Sequence, residues 1–115
     1  MDETLVEKVL RAVEAVPSGR VVSYGDIATL AGIGPRSVGA VMSRFGSGVA
    51  WWRVTNVAGE LPPALLPEAR RHWAAEGITL ANSGRGCRIA VHHADLAQLS
   101  DDFARATADL MSDPG

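Results

Sequence analysis

Apolar side chains recur at helical spacing over the first sixteen residues. Leu5, Val6, Val9, Leu10, Val13 and Val16 share one stripe, with Glu3, Glu7 and Glu14 opposite. This predicts an amphipathic helix from Thr4 to Val16, ended by Pro17-Ser18-Gly19. Val21-Val22 reads as a brief extended piece. Ser23-Tyr24-Gly25-Asp26 then has the form of a capping box, in which a serine hydroxyl and a carboxylate three residues on satisfy each other's backbone N–H groups. A short helix is expected to follow through Ile27, Ala28, Leu30 and Ala31. Gly32-Ile33-Gly34 breaks it, and Pro35 suits the first position of the next helix, from about Pro35 to Arg44. There Val38, Val41 and Met42 point inward, while Arg36, Gly39, Ala40 and Ser43 give a thin outer side.

Two short helices across a glycine-bearing turn predict a helix-turn-helix, its second helix the candidate recognition element. Small residues around one arginine suit close backbone approach better than base-edge contacts. Phe45-Gly46-Ser47-Gly48 is expected as a flexible link, Asn56-Val57-Ala58-Gly59 as a turn, and Leu61-Pro62-Pro63-Ala64 as irregular loop. A helix is expected from near Pro67 to Gly77, burying Leu66, Ala69 and Trp73. Ile78-Thr79-Leu80 and Cys87-Arg88-Ile89-Ala90-Val91 read as paired strands, a wing with Arg85 at its tip. Asp95 to Met111 reads as a last helix through Leu96, Leu99, Phe103, Ala106 and Leu110. The expected fold is mainly α with a small β-hairpin: a winged helix-turn-helix-like DNA-binding domain over residues 1–93, and a C-terminal helical extension of the same domain over residues 94–115.

Composition narrows this further. A chain of 115 residues makes one domain with one core. No apolar run approaches the roughly 20 residues a membrane span needs, and the N-terminus, Met1-Asp2-Glu3-Thr4, is acidic rather than leader-like. Cys87 is the single cysteine, and three histidines with it show no zinc spacing, so no metal and no cofactor are expected. A cytoplasmic monomer, nucleoid-associated when bound to DNA, is the expected setting.

A net charge of −2 alone argues against nucleic acid, but its distribution argues the other way. From Ile27 to Gly59 there is no acid, and Arg36, Arg44 and Arg53 fall there. From Gly77 to Ala94 there is again none, with Arg85 and Arg88. Acids collect at the two ends of the chain. Ten of the eleven basic residues are arginine, whose planar fork grips phosphates and stacks on bases. One anion-facing side is implied. Arg44, Arg85, Arg88 and Ser43 are candidate phosphate contacts.

Val49-Ala50-Trp51-Trp52-Arg53-Val54-Thr55-Asn56 concentrates the aromatic chemistry. Two of three tryptophans lie side by side there, as core filler or as a wall for a planar guest. In order, residues 17–28, the run Pro35-Arg36-Ser37-Val38-Gly39-Ala40-Val41-Met42, the Trp51–Asn56 run, and the helix Pro67 to Glu76 followed by Gly77-Ile78 resemble the C-terminal DNA-binding domain of O6-alkylguanine-DNA alkyltransferases. The resemblance covers about residues 4–91. Trp51 stands where that family has its nucleophilic cysteine, and Trp52 where it has the histidine that relays the proton. A thiolate and an adjacent base are what alkyl transfer needs, and an indole offers only an N–H donor. The chain is thereby similar to the alkyltransferase-like proteins, non-enzymatic relatives that bind O6-alkylguanine and direct it to nucleotide excision repair.

Several roles follow from the resemblance. The second helix is expected in the minor groove, with Gly39 and Ala40 on its thin face. Arg36 matches the finger that fills the gap left by a flipped nucleotide, and Tyr24 the tyrosine that pushes at the neighbouring phosphate. Trp51, Trp52, Arg53 and Val54 are expected around the alkylguanine pocket: Trp51 as its wall, Trp52 as guest contact or core filler, and Arg53 as a structural hydrogen-bonder. Glu76 matches the histidine's carboxylate partner, and with Trp52 in that place its usual hydrogen bond is expected to be lost. Cys87, near Arg85 and Arg88, is a weak alternative nucleophile. The expected partners are double-stranded DNA carrying O6-alkylguanine and nucleotide excision repair proteins. The alternative reading is a winged-helix DNA-binding module without damage preference, architectural or regulatory, suggested by Trp52 and the acidic C-terminal helix.

Overall fold

A computed structural model describes residues 2–111. Helix α1 (Glu3–Ala15) is capped by Asp2, whose side chain accepts from the Thr4 N–H, and buries Val9, Ala12 and Val13. Helix α2 (Tyr24–Ala31) carries the capping box expected of Ser23 and Asp26, and Gly32 closes it in the left-handed region at φ 72°. Helix α3 (Pro35–Phe45) starts on its proline and buries Val38 and Val41. The helix-turn-helix is therefore present as the capping and glycine signals predicted.

Strands β1 (Val22–Ser23) and β2 (Val54–Thr55) pair in parallel, Val22 against Val54 and Ser23 against Thr55. This two-residue ladder leads the tryptophan segment out of the core. Helix α4 (Leu66–Glu76) buries Leu66, Ala69 and Trp73, and ends at Gly77 with φ 75°. A short helix α5 (Ile89–His92) precedes α6 (Leu96–Ala106), which is capped by Asp95. A last turn, α7 (Ala108–Met111), completes the described chain. Among the described residues, no helix is long and apolar enough to cross a membrane.

Two apolar clusters result. The larger joins α1, α2 and α3 to Val22, Val54, Ala94, Leu99 and Phe103. The smaller gathers Val21, Leu61, Leu66, Ala69, Trp73, Ile78 and Cys87, with Trp51, Trp52 and Ile89 against it. Helix α6 thus seals the first cluster: Leu99 is 1% and Phe103 6% exposed. Arg11 of α1 clasps the chain end by hydrogen bonds to the Ala106 carbonyl and Asp109.

Three local expectations need correction. The wing shrinks to a single antiparallel bridge, Leu80 with Cys87, and Ile89–His92 turns helical instead of extending it. Residues 86–87 are shared with a second partner, because Gly86 bridges Glu60 and the Cys87 N–H donates to the Gly59 carbonyl at 2.9 Å. That approach tolerates no side chain. A Cβ on Gly86 would meet the Gly59 carbonyl oxygen at 2.2 Å, and one on Gly59 the Cys87 oxygen at 2.3 Å. The last helix breaks at Thr107, which is fully buried while Ala106 is exposed, its hydroxyl donating to the Phe103 carbonyl. Residues 112–115 of the expected extension lie outside the described residues. Lastly, Gly46–Gly48 forms a tight helical turn rather than a flexible link, with Gly46 buried beside Met42.

Candidate nucleic-acid interface

The tryptophan segment is neither strand nor extended loop. Trp51–Arg53 makes one turn of 3-10 helix, started at Ala50 and released at Val54 into β2. One turn sends the two indoles in different directions while keeping them in contact. Their ring centres lie 5.7 Å apart at an interplanar angle of 83°.

Trp51 faces a cleft of about 450 Å³. Tyr24 lines it from α2, Gly39, Met42 and Ser43 from α3, and Gly46 and Ser47 from the following turn. Leu61, Pro62, Leu65 and Glu68 close the other side. Of the expected site residues, the structure brings Tyr24, Gly39, Ser43 and Trp51 to this one cleft. Arg36, Ala40 and Arg44 sit on α3 outside its lining; Arg36 and Arg44 are exposed, with the Arg44 guanidinium 5.5 Å from the Phe45 ring. Burial pushes the Tyr24 phenol up from its ordinary value, so at neutral pH it keeps its proton.

Trp52, Arg53 and Val54 do not line the cleft. Val54 is fully buried in β2. Trp52 stacks face to face on His72, ring centres 3.5 Å apart and planes 3° from parallel. Trp51 meets that same His72 edge-on. Trp52 and His72 thus form a backing plate for Trp51.

Behind this plate lies Glu76. The Trp52 indole N–H donates to its Oε2 at 2.8 Å. Arg53 donates through Nε to Oε1 at 3.0 Å and through Nη2 to Oε2 at 2.8 Å, and the Gly19 N–H donates to Oε1 at 2.9 Å. Arg53 Nη1 reaches the Val16 carbonyl at 3.0 Å. Desolvation pushes the Glu76 carboxyl up, but these donors and the Arg53 charge outweigh it and hold it at about 2. The expected loss of a partner for Glu76 is corrected here: an indole N–H occupies the donor's place. One carboxylate joins the end of α1, the Pro17–Arg20 turn, the tryptophan turn and the end of α4. The third indole is committed too, Trp73 donating to the Trp52 carbonyl at 2.8 Å.

Cys87 is 1% exposed, and burial pushes its thiol up to about 11, the reverse of an activated nucleophile. The histidine pair is structural. The His92 ring accepts from the Thr79 N–H at 3.0 Å, and His93 lies 2.8 Å from Asp26, tying the start of α2 to the segment before α6. Arg85 is exposed, with Glu60 3.6 Å away. No cluster of three metal-ligating side chains occurs among the described residues.

The sequence did not mark Leu61, Pro62, Leu65 and Glu68 as cleft residues, nor His72 as a stacking partner. The proline pair was the one local signal of a rigid rim. His72 lies twenty positions beyond Trp52, with no periodicity linking the two.

Residues 4–78 match the family model described as 6-O-methylguanine DNA methyltransferase, DNA binding domain. The DNA base-flipping protein of Escherichia coli (strain K12) is 37% identical over 90 residues, which are 73% of this chain and 70% of that protein. The DNA base-flipping protein of Vibrio parahaemolyticus is 33% identical over 91 residues, 74% of this chain and 90% of that one. Among solved structures, S. pombe Atl1 in complex with damaged DNA containing O6-carboxymethylguanine matches with a TM-score of 0.70. It is 24% identical and covers 83% of this chain and 98% of that one, which shows a common fold. The helix-turn-helix, the cleft against Trp51 and these matches together assign the chain: it belongs to the family of the 6-O-methylguanine DNA methyltransferase DNA-binding domain, among its alkyltransferase-like members.

Proposed function

We propose that this protein binds duplex DNA along α2 and α3, takes an extruded O6-alkylguanine into the cleft against Trp51, and leaves the alkyl group in place. The observation that carries this reading is the placement of Trp51. It puts an indole, with no nucleophile, on the wall of a cleft that Tyr24 and the thin face of α3 also line. A ring face accepts alkyl groups of varied size, and a base stacked or edged against it gains about 1–3 kcal/mol. Pairing weakened by O6-alkylation lowers the cost of extruding the base.

Nothing at the cleft supplies a thiolate, and the one thiol of the chain is buried elsewhere. Recognition without repair fits this chemistry. The base-flipping names of the relatives and the damaged DNA bound by S. pombe Atl1 support it. In this reading α3 enters the minor groove, where Gly39 and Ala40 allow close approach and Arg36 fills the vacated stack. The bound lesion is then handed to nucleotide excision repair.

The test compares affinity for duplexes with and without one O6-methylguanine, followed by mass analysis of the recovered DNA. Tighter binding of the lesion duplex with the methyl group intact is expected. Equal affinity, or demethylated DNA, overturns the proposal.

A further inference from the structure

His72 is a titratable side chain that the proposed function leaves without a task. It stands on α4, one turn after Glu68 and one turn before Glu76, with its side chain 35% exposed. Its one ionic neighbour among the described residues is the exposed Glu68 carboxylate, 3.9 Å from Nε2, and so open a pair holds a ring only weakly. What fixes the imidazole is the face of Trp52, 3.5 Å away between ring centres with the planes 3° from parallel. Trp52 is tied in turn to Glu76 by its N–H at 2.8 Å, and the Arg53 guanidinium lies 5.7 Å from its ring centre. The stack is therefore anchored on successive turns of one helix.

Trp51 has no such tie. Its indole N–H makes no hydrogen bond among the described residues, and a single 3-10 turn carries it. Its ring meets Trp52 at 5.7 Å and 83°, and His72 at 6.0 Å and 81°. The two distances are nearly equal although the stacked centres are 3.5 Å apart, so Trp51 lies beside the stack, against both rings at once. Edge-to-face contact is an arrangement that aromatic quadrupoles favour, and it sets an angle as well as a position.

Without His72 the stack would be one ring thick. An indole then free to turn about its side-chain torsions would be drawn over Met42, Leu61 and Leu65, the apolar side chains that share its cleft. A cleft closed in that way must reopen before it takes a guest, and apparent affinity falls with the fraction that stays competent. We propose that His72 is a positioning residue: by completing the stack with Trp52, it holds the Trp51 indole at the wall of the cleft before a guest arrives. This assignment rests on the proposed function and acts through Trp51, with no contact between His72 and the guest.

The experiment measures affinities by fluorescence anisotropy for duplexes with and without one O6-methylguanine. The proteins are the wild type, His72→Ala, His72→Leu and His72→Phe, each first shown to be folded by its urea midpoint. Leucine keeps bulk and helix propensity without a planar ring, so a ringless variant remains if alanine fails to fold. Phenylalanine keeps the ring. Loss of the ring is expected to lower the preference for the lesion duplex about fivefold with plain-duplex affinity unchanged, and phenylalanine to restore it. In a Trp51→Ala background, His72→Ala is expected to change lesion-duplex affinity no further. A merely structural role lowers the urea midpoint and leaves the preference of the folded protein where it was. Preference kept by the ringless variants, lost equally in His72→Phe, or falling again in the Trp51→Ala background overturns the role of His72 and leaves the proposed function standing. No preference of the wild type for the lesion duplex overturns both.

Discussion

Trp51 and Trp52 are neighbours in sequence with the same side chain, and they have opposite surroundings. Trp51 is on a cleft, touched edge-on by Trp52 and His72, and no hydrogen bond engages its indole N–H among the described residues. Trp52 is sandwiched on His72 with its N–H committed to Glu76. The two regions divide the labour of the site. Behind the tryptophan turn, the Glu76 carboxylate, the Trp52 indole N–H and the Arg53 guanidinium are spent on holding four chain segments together. In front of it, polar atoms are left over for a guest. An indole can serve either purpose, because its large apolar face and single donor suit a stack or a hydrogen bond equally.

The contrast can be broken most severely from behind. Arg53→Ala leaves the 10%-exposed Glu76 carboxylate without its charged partner and the Val16 carbonyl without its donor. A loss of about 3 kcal/mol in stability is expected, read as a shift in the urea midpoint. Stability should also depend on Glu76 protonation. Its carboxyl sits at about 2 in the fold and near 4.5 when unperturbed. Its folded value is depressed, so its contribution is fully present above about pH 5 and is lost as pH falls toward 2. That contribution is on the order of 3 kcal/mol. Denaturation midpoints measured across that window should fall for the wild type and fall less steeply for Glu76→Gln.

In front of the turn the expected effects are on binding. Trp51→Ala should cost about 2 kcal/mol of lesion affinity while leaving undamaged-duplex affinity nearly unchanged, measured by anisotropy on the paired duplexes. If it instead unfolds the domain, the division between the two tryptophans fails. The smallest effect is expected of Trp52→Phe, which keeps a ring on His72 and removes only the N–H to Glu76. A loss of about 1 kcal/mol in stability, with lesion preference retained, would sharpen the comparison.

The helical frame was legible because its signals are local. The Ser23–Asp26 capping box, Pro35 at a helix start and Gly32 and Gly77 at helix ends each act within one turn of chain. The candidate site was legible in part, since the pairing of Tyr24 and α3 with Trp51 came from the ordered match of motifs. Its far wall was not, because Leu61 and Leu65 arrive through a proline-bearing segment that carries no period, and nothing local says that Glu68, in the first turn of α4, stands beside them. The wing was over-read for a related reason. The segment 87–91 has strand-like composition, but the Cys87 N–H goes to the Gly59 carbonyl of a different loop, and beyond Arg88, which still donates to Thr79, the Val91 and His92 N–H groups turn back onto the Arg88 carbonyl. Competition between partners is invisible to a propensity.

What the sequence by itself determined is that the Trp51-Trp52 pair offers neither a thiol nor a relay base, whatever the fold does with it. It also determined the helices, whose caps and stripes need no distant partner. Only the tertiary structure decided which tryptophan is wall and which is support, that Glu76 keeps a donor in the indole of Trp52, and that Cys87 is buried beyond reactivity. Those outcomes depend on side chains brought together across twenty to sixty positions, and burial and hydrogen bonding at that range are set by packing rather than by pattern.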